Sequence, residues 1–131
     1  MRMFSLKNGT RRTIPRVPFS RIAEKMTGRS YELSVAFVGD RRMRRLNRTY
    51  RNSDRVTDVL AFPLGEKSGE ILLNLRAVEK KSKAFGLSPR NYLTFVFIHG
   101  ILHLKGLTHG RTMEKLEDTW CRKFGVPHKV R

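Results

Sequence analysis

The feature that most constrains the fold is an apolar segment that follows Ser88-Pro89 and ends before Gly106. Serine is a favoured N-cap residue, proline is favoured at the first helical position, and glycine commonly follows the end of a helix. These signals predict a helix from residue 89 to about residue 104. Apolar side chains lie nearly all round its axis, which is typical of a helix buried at the centre of a domain. They are Tyr92, Leu93, Phe95, Val96, Phe97, Ile98, Ile101, Leu102 and Leu104.

Shorter periodic segments predict strands in the first half of the chain and further helices. Apolar runs with strand-like composition predict strands at residues 4–6, 31–38, 57–62 and 70–73. We expect Pro63 to end the third of these strands. Helical spacing predicts helices at residues 19–26, 75–85 and 112–124, and an arginine-rich helix that Asp40 caps. Because no repeat, low-complexity segment or linker divides the sequence, we predict a single domain over residues 1–131.

Composition excludes several classes of protein. The 131 residues are 39% hydrophobic, which is enough for a core of their own. The single cysteine, Cys121, excludes an internal disulfide and fits a reducing compartment. Residues 92–104, the longest apolar-rich stretch, are too short to span a membrane, and residues 1–8 lack the apolar region of a secretory signal. We therefore predict a cytoplasmic protein with no membrane partner and no disulfide partner.

The charge balance favours a polyanionic partner. There are 28 Lys and Arg against 11 Asp and Glu, a formal net charge of +17, which would attract nucleic acid, an acidic membrane surface or an acidic protein. Within residues 41–51 an apolar stripe, Met43, Leu46 and Tyr50, leaves the rest of the helix surface basic. The stripe is too narrow for membrane binding, whereas guanidinium groups bind phosphate by two parallel hydrogen bonds. The alternative is an ordinary solvated helix face. The basic residues are Arg41, Arg42, Arg44, Arg45, Arg48 and Arg51.

Three of the four histidines have the spacing of a metal site. His99 and His103 are four residues apart on the predicted central helix, so their imidazoles project from one face. Gly106 allows the chain to turn back, which brings His109 towards the same point. Three ligands with an open fourth position are typical of a catalytic metal ion. The alternative is three separately hydrogen-bonded histidines in a packed helix, and we expect His128 to lie on the surface.

The same spacing occurs in metzincin metalloproteases, so proteolysis is a competing hypothesis. Those enzymes need a glutamate directly after the first histidine, as the general base. Here that position is Gly100, which has no side chain to accept a proton. A metal ion lowers the pKa of a bound water to about 7 and polarises phosphoryl oxygens. Together with the basic helix, the site therefore favours phosphodiester cleavage over peptide hydrolysis.

Two motifs resemble those of the YbeY-type endoribonucleases of bacteria, also called rRNA maturation factors. Residues 99–109 match the box His-Gly-x-Leu-His-Leu-x-Gly-Tyr-Asp-His, with Leu107 and Thr108 in place of its Tyr and Asp. Residues 46–63 match Leu-Asn-x-x-Tyr-Arg followed by Thr-Asp-Val-Leu-Ser-Phe-Pro, with Ala61 in place of Ser. The resemblance covers roughly residues 33–120.

The resemblance implies an α+β fold, a small mixed β-sheet with helices packed on it and the metal in a cleft lined by the sheet. It implies a metal-dependent, single-strand-preferring endoribonuclease that acts in 3′-end maturation of small-subunit (16S) ribosomal RNA and in ribosome quality control. Ribosomal RNA and the small ribosomal subunit are then the expected partners. The implied metal ligands are His99, His103 and His109, one divalent ion is bound, most commonly zinc, and Arg51 is the catalytic arginine.

Further residues have roles that the pattern leaves open. Arg51 is expected to hold a phosphate oxygen as charge develops, and a positioning or structural role is its alternative. Arg41, Arg44, Arg45 and Arg48 are the candidate RNA-binding residues. Asp58 and Glu70 would orient a ligand histidine or relay a proton, or else cap a turn or pair with a nearby arginine. Thr108 lacks the charge of the family's Asp, so a lower metal affinity is expected.

Two aromatic residues and one lysine are further candidates for contact with RNA. Tyr50 and Phe62 are candidates for stacking on a base, but their spacing favours packing in the core. Lys105 would contact an RNA backbone or extend its charged end into solvent. The alternative function is a non-catalytic RNA- or ribosome-binding assembly factor, whose metal only stabilises the fold.

Overall fold

The structure is a computed structural model and describes residues 4–127. It contains four strands: β1 (Phe4–Asn8), β2 (Glu32–Phe37), β3 (Val59–Gly65) and β4 (Ser68–Leu73). Five helices accompany them: α1 (Phe19–Thr27), α2 (Asp40–Arg51), α3 (Leu75–Ala84), α4 (Pro89–Leu104) and α5 (Arg111–Lys123). Each predicted strand and helix is present, with its ends displaced by a few residues at most.

The strands form one mixed sheet in the order β1-β2-β4-β3. β1 pairs with β2 and β2 with β4 in parallel, while β3 and β4 form an antiparallel hairpin. Parallel neighbours need a long crossover, which α1 supplies between β1 and β2. The predicted α+β fold with a small mixed sheet is therefore confirmed. β1 and β3 are the two edge strands.

Helix α4 is the buried centre of the molecule, as its apolar circumference predicts. Leu93, Phe97, Ile98 and Ile101 are all completely buried in the main hydrophobic core. The Ser88 hydroxyl accepts a hydrogen bond from the backbone N–H of Asn91 at 3.1 Å, so the predicted N-cap is present.

Gly100 lies where α4 packs closely against the sheet. A Cβ atom at this position would lie 3.2 Å from Ile71 Cδ1 and 3.4 Å from Val59 Cγ2. The glycine therefore lets the helix pack tightly on β3 and β4. A larger side chain at this position would crowd the side chains of Ile71 and Val59.

Helix α2 packs on the opposite face of the sheet. Met43 is completely buried and belongs to a smaller apolar cluster with Val38, Leu60 and Leu72. Because side chains alternate along a strand, Leu60 faces α2 while its neighbours Val59 and Ala61 belong to the α4 side.

Three local predictions are wrong. Pro63 does not end β3, which continues to Gly65; an edge strand tolerates proline because one row of its N–H groups needs no partner. Asp40 does not cap α2: Gly39 is the N-cap, and the Asp40 carboxylate accepts hydrogen bonds from Asn74 and Arg76. Tyr50 is not in the core but 64% exposed.

Three predictions drawn from the composition and the ends of the chain concern membrane spans, the cysteine and His128. Within residues 4–127, no helix combines the length and the apolar character needed to cross a bilayer. Cys121 is buried and forms no disulfide, as the single cysteine requires. The expectation for His128 concerns a residue outside the described part of the chain.

Candidate metal centre

The three predicted histidines converge at one point. His99 and His103 project from consecutive turns of α4, and their Nε2 atoms lie 3.0 Å apart. The following loop turns back through Gly106, which has a φ of +91° that favours glycine. The His109 ring centre is thereby placed 5.1 Å from that of His99 and 5.2 Å from that of His103. One nitrogen of each imidazole lies within 4.8 Å of the other two.

Hydrogen bonds on the far side of each helical imidazole define which nitrogen carries the proton. His103 Nδ1 donates to the Leu107 carbonyl oxygen at 3.0 Å, and His99 Nδ1 donates to the Glu117 carboxylate. A carbonyl and a carboxylate only accept, so both Nδ1 atoms carry hydrogen. In the neutral rings, both Nε2 atoms therefore direct a lone pair into the same space.

Two such lone pairs, on nitrogens 3.0 Å apart, can bind one cation together. A tetrahedral zinc ion with metal–nitrogen bonds of about 2.0–2.1 Å separates its ligand nitrogens by roughly 3.3 Å. The 3.0 Å separation of the two Nε2 atoms is close to this edge length. Three imidazoles and one open direction therefore fit a divalent first-row metal ion.

The protein environment keeps His103 in the neutral form that a metal requires. Burial, followed by the neighbouring His99 imidazole, lowers the pKa of His103 below its ordinary value of 6.5. Because only a neutral imidazole has a free lone pair, this shift favours metal binding over protonation at neutral pH.

The lowered pKa of His103 predicts how the metal-free protein responds to acid. Below pH 6.5 the unfolded chain binds a proton at this histidine before the folded chain does, so the free energy of unfolding falls as the pH falls towards the folded pKa. We expect urea unfolding of chelator-treated protein to show this loss on crossing pH 6.5. His103→Gln, which cannot titrate, should have a flatter pH profile, and an identical slope in both proteins would contradict the prediction.

A cleft of about 340 Å³ contains the histidines. Its walls come from α4, β3, the start of α5 and the end of α2, where exposed Arg51 lies. Met43, near the start of α2, packs on the face of the sheet opposite this cleft. The last turn of α2 nevertheless reaches the cleft, because β3 is an edge strand and the helix end lies beside it. The structure thus brings Arg51 to the same cleft as the three histidines.

Asp58 lies in the cleft wall but does not contact a histidine in a described hydrogen bond. Its carboxylate accepts from the Tyr92 hydroxyl at 2.8 Å and pairs with Lys81 at 3.4 Å, while only 6% of the residue is exposed. Burial and the Asp58 charge raise the pKa of Tyr92, so its hydroxyl stays protonated and remains a donor. Of the roles expected for Asp58, the structure supports pairing with a cation, which is a lysine rather than an arginine. Glu70 does not line this cleft.

Glu117 is the functional residue that sequence reasoning missed. It is only 3% exposed, and its carboxylate accepts from His99 Nδ1. A signal was present: Glu117 follows Met113 by four residues, so a carboxylate occupies the face of α5 that the apolar residues place inward. A buried carboxylate needs a partner, and here that partner is the imidazole.

Removing the Glu117 charge should weaken metal binding. Carboxylates that orient a ligand histidine typically contribute 10- to 100-fold in metal affinity. We expect Glu117→Gln to bind metal about 10- to 100-fold more weakly in a chelator competition assay. The matched control is Glu66→Gln in the turn between β3 and β4, which is exposed and does not line the cleft, and it should stay within a few-fold of the unaltered protein. Equal affinities for both variants would exclude this role of Glu117.

The candidate RNA-binding arginines form a separate concave surface on α2. A depression of about 620 Å³ is bordered by Arg41, Arg44, Arg45 and Arg48, together with Asp40 and Val56. Two of these arginines share one carboxylate: Arg44 binds both oxygens of Asp54, at 2.9 and 3.1 Å, and Arg48 binds one at 3.3 Å. The hydrogen bond from Arg44 lowers the pKa of Asp54. The four arginines are therefore clustered, and part of their charge is already neutralised.

The remaining predicted residues have simple positions. Lys105 is exposed, and its Nζ donates one hydrogen bond to the Met26 carbonyl oxygen at 2.9 Å. Leu107 contributes its carbonyl oxygen to His103, so the family's tyrosine is not needed for that contact. Thr108 is exposed in the same loop.

Comparison with known proteins agrees with this fold and site. The family described as Endoribonuclease YbeY matches residues 7–125. A protein named Endoribonuclease YbeY from Aliarcobacter butzleri is 36% identical, over 98% of this chain and 96% of its own, and one of the same name from Nitratiruptor sp. is 36% identical, over 83% and 79%. A target protein from Thermotoga maritima, solved in solution, superposes with a TM-score of 0.66 at 25% identity, over 93% of this chain and 89% of its own. The resemblance read from the two motifs is thereby confirmed, and the chain belongs to the YbeY family of endoribonucleases.

Proposed function

We propose that this chain is, as a single domain, a zinc-dependent endoribonuclease that cleaves single-stranded segments of ribosomal RNA. The observation that carries the proposal is the convergence of three imidazoles, with the Nε2 atoms of His99 and His103 3.0 Å apart, in a cleft that also contains Arg51. Membership of the YbeY family supports the class of reaction. The charge of +17 supports a polyanionic substrate.

The three histidines would hold the ion. When bound, a divalent ion supplies Lewis-acid polarisation of a phosphoryl oxygen and lowers the pKa of a coordinated water. The protein's part is to hold His99 and His103 in the correct ring orientation through Glu117 and the Leu107 carbonyl oxygen. The open side of the cleft leaves room for one phosphodiester group of the substrate.

Arg51 is proposed to bind the scissile phosphate. It is exposed, lines the cleft and carries a guanidinium that pairs with two oxygens at once. As negative charge grows on the non-bridging oxygens, this cation stabilises the transition state more than the ground state. The protonated Tyr92 hydroxyl, held by Asp58, forms part of the same wall.

The four-arginine surface on α2 is proposed to position the RNA backbone. A phosphate that approaches Arg44 or Arg48 would compete with Asp54, while Arg41 and Arg45 offer further positive charge at the rim of the depression. Such contacts add affinity that depends on salt but carry little sequence information.

The biological setting is proposed from the family. The substrate would be the 3′ end of small-subunit (16S) ribosomal RNA, on the small ribosomal subunit in the cytoplasm, with a further role in ribosome quality control. The second candidate, a non-catalytic assembly factor with a structural metal, uses the same RNA-binding surfaces and differs only in turnover.

The deciding experiment measures cleavage of a ribosomal RNA fragment with a single-stranded 3′ tail. Three samples are compared on the same substrate: zinc-loaded protein, protein stripped of metal with a chelator, and stripped protein reloaded with zinc. We expect cleavage to disappear on stripping and to return on reloading. Salt-sensitive binding without cleavage by protein that has bound zinc would contradict the nuclease and support the assembly factor.

A further inference from the structure

Tyr50 and Phe62 form an aromatic pair, of which Tyr50 is exposed. Tyr50 is 64% exposed, which is unusual for a large aromatic residue on a helix that packs against a sheet. Its ring meets the half-buried Phe62 edge to face, with centres 5.1 Å apart and planes at 62°. Phe62 belongs to the apolar cluster beneath α2. One side of the Tyr50 ring therefore packs on Phe62, and the other side is open to solvent.

Two independent chain positions place this pair at the rim of the metal cleft. Tyr50 directly precedes Arg51, and Phe62 directly follows Ala61; Arg51 and Ala61 both line the cleft. Consecutive Cα atoms are about 3.8 Å apart, so each ring starts one residue from the cleft wall. The pair and the cleft are thus adjacent surfaces on the two sides of edge strand β3.

The charge near Tyr50 indicates which class of ligand would bind to its exposed ring. Tyr50 is followed directly by Arg51 at the end of α2, on a chain with a net charge of +17. A planar aromatic ring beside a cation matches a nucleotide, whose base stacks while its phosphate pairs with the arginine. An apolar protein segment would leave that charge unmatched. Unstacked bases are available in a single strand, whereas a duplex buries their faces.

We propose that Tyr50, supported by Phe62, is a stacking subsite for one base of single-stranded RNA, beside the phosphate that Arg51 binds. This inference rests on the proposed function and adds the feature that selects single strands. The base is held by its π-face, so the subsite tolerates all four bases. Phe62 acts as a support that holds the Tyr50 ring in place.

The test measures binding of a single-stranded oligoribonucleotide by zinc-loaded protein. Tyr50→Ala should weaken binding about 5- to 150-fold, the range expected for one base–aromatic stack, while Tyr50→Phe should bind like the unaltered protein. The dependence of binding on salt should not change, because no charge is removed. The control is Leu6→Ala, which removes an exposed apolar side chain from β1 at the opposite edge of the sheet.

An abasic scan of the same oligonucleotide identifies the contact. Removing the base at one position should cost the unaltered protein the same factor as Tyr50→Ala, and should cost the Tyr50→Ala protein nothing more. Tyr50→Leu, which keeps an apolar side chain over Phe62, replaces the alanine variant if thermal unfolding shows that the latter is destabilised.

The outcomes separate this proposal from the proposed function. Normal cleavage with equal binding by Tyr50→Ala and the unaltered protein, or base and tyrosine effects that add at every position, would overturn the subsite and leave the nuclease intact. Failure of the unaltered protein to bind or cleave RNA would overturn both.

Discussion

His103→Ala should lose its bound metal and reduce RNA cleavage to background. The substitution removes one of the three imidazoles that converge within 4.8 Å among residues 4–127, and two imidazoles are fewer than the three protein ligands of a catalytic zinc site. It also removes the lone pair that faces His99 Nε2 at 3.0 Å. Because all of the proposed chemistry depends on the bound ion, the loss of activity should exceed the roughly 100- to 1000-fold that removal of one transition-state contact costs.

The measurement combines metal content after dialysis with the rate of cleavage of the RNA fragment. His103→Gln is the companion variant, because it fills more of the space that His103 occupies and tests whether loss of packing explains the result. Thr108→Ala, in the loop between His103 and His109, is the control and should retain both metal and activity. Near-normal cleavage by His103→Ala would remove this residue from the metal site and refute the proposed centre.

Arg51→Ala should keep its metal and lose most of its cleavage rate. Arg51 lies in the cleft but has no place among the converging imidazoles, so its removal leaves the ligand set intact. A cation that stabilises developing negative charge contributes about 100- to 1000-fold to kcat. We expect a loss of that size in kcat with a smaller change in KM, because the ground-state phosphate is also bound elsewhere.

Two further arginine variants sharpen this test. Arg51→Lys keeps the charge but loses the planar fork, so it should recover only part of the rate. Arg29→Ala removes an exposed arginine that pairs with Glu24, away from the cleft, and should leave the rate nearly unchanged. If Arg51→Ala lost its metal, the arginine would have a structural role; if its rate were normal, Arg51 would have no role in catalysis.

The metal site illustrates how much a local pattern predicts. His99 and His103 share a face of α4 because residues four apart do so in every α-helix, and Gly106 provides the positive φ that returns the chain. These contacts depend only on neighbours in sequence. Glu117, which orients His99, is 18 residues away, and its position depends on how α5 crosses α4.

The arginine helix shows where a periodic pattern is insufficient. Its spacing places Met43, Leu46 and Tyr50 on one stripe, and Met43 is indeed buried. Tyr50 is exposed because the last turn of α2 lies at the edge of the sheet, beside β3, where there is less structure to cover it. Asn47, which is not part of the apolar stripe, is buried, and its side-chain amide donates to the Arg55 carbonyl oxygen at 3.0 Å. Helical periodicity predicts which side chains share a face of the helix, but it does not predict whether another element covers that face.

The sequence by itself determined the central helix, the three histidines, the α+β class and the family, because caps, helical spacing and motif order are properties of short segments. Only the tertiary structure decided the strand order, the pairing of His99 with Glu117, the sharing of Asp54 by two arginines and the exposure of Tyr50. Apart from the local Asp54 contacts, each of these depends on how helices are placed on the two faces of the sheet. That packing is a property of the whole chain, since it results from the sum of many weak contacts between distant segments.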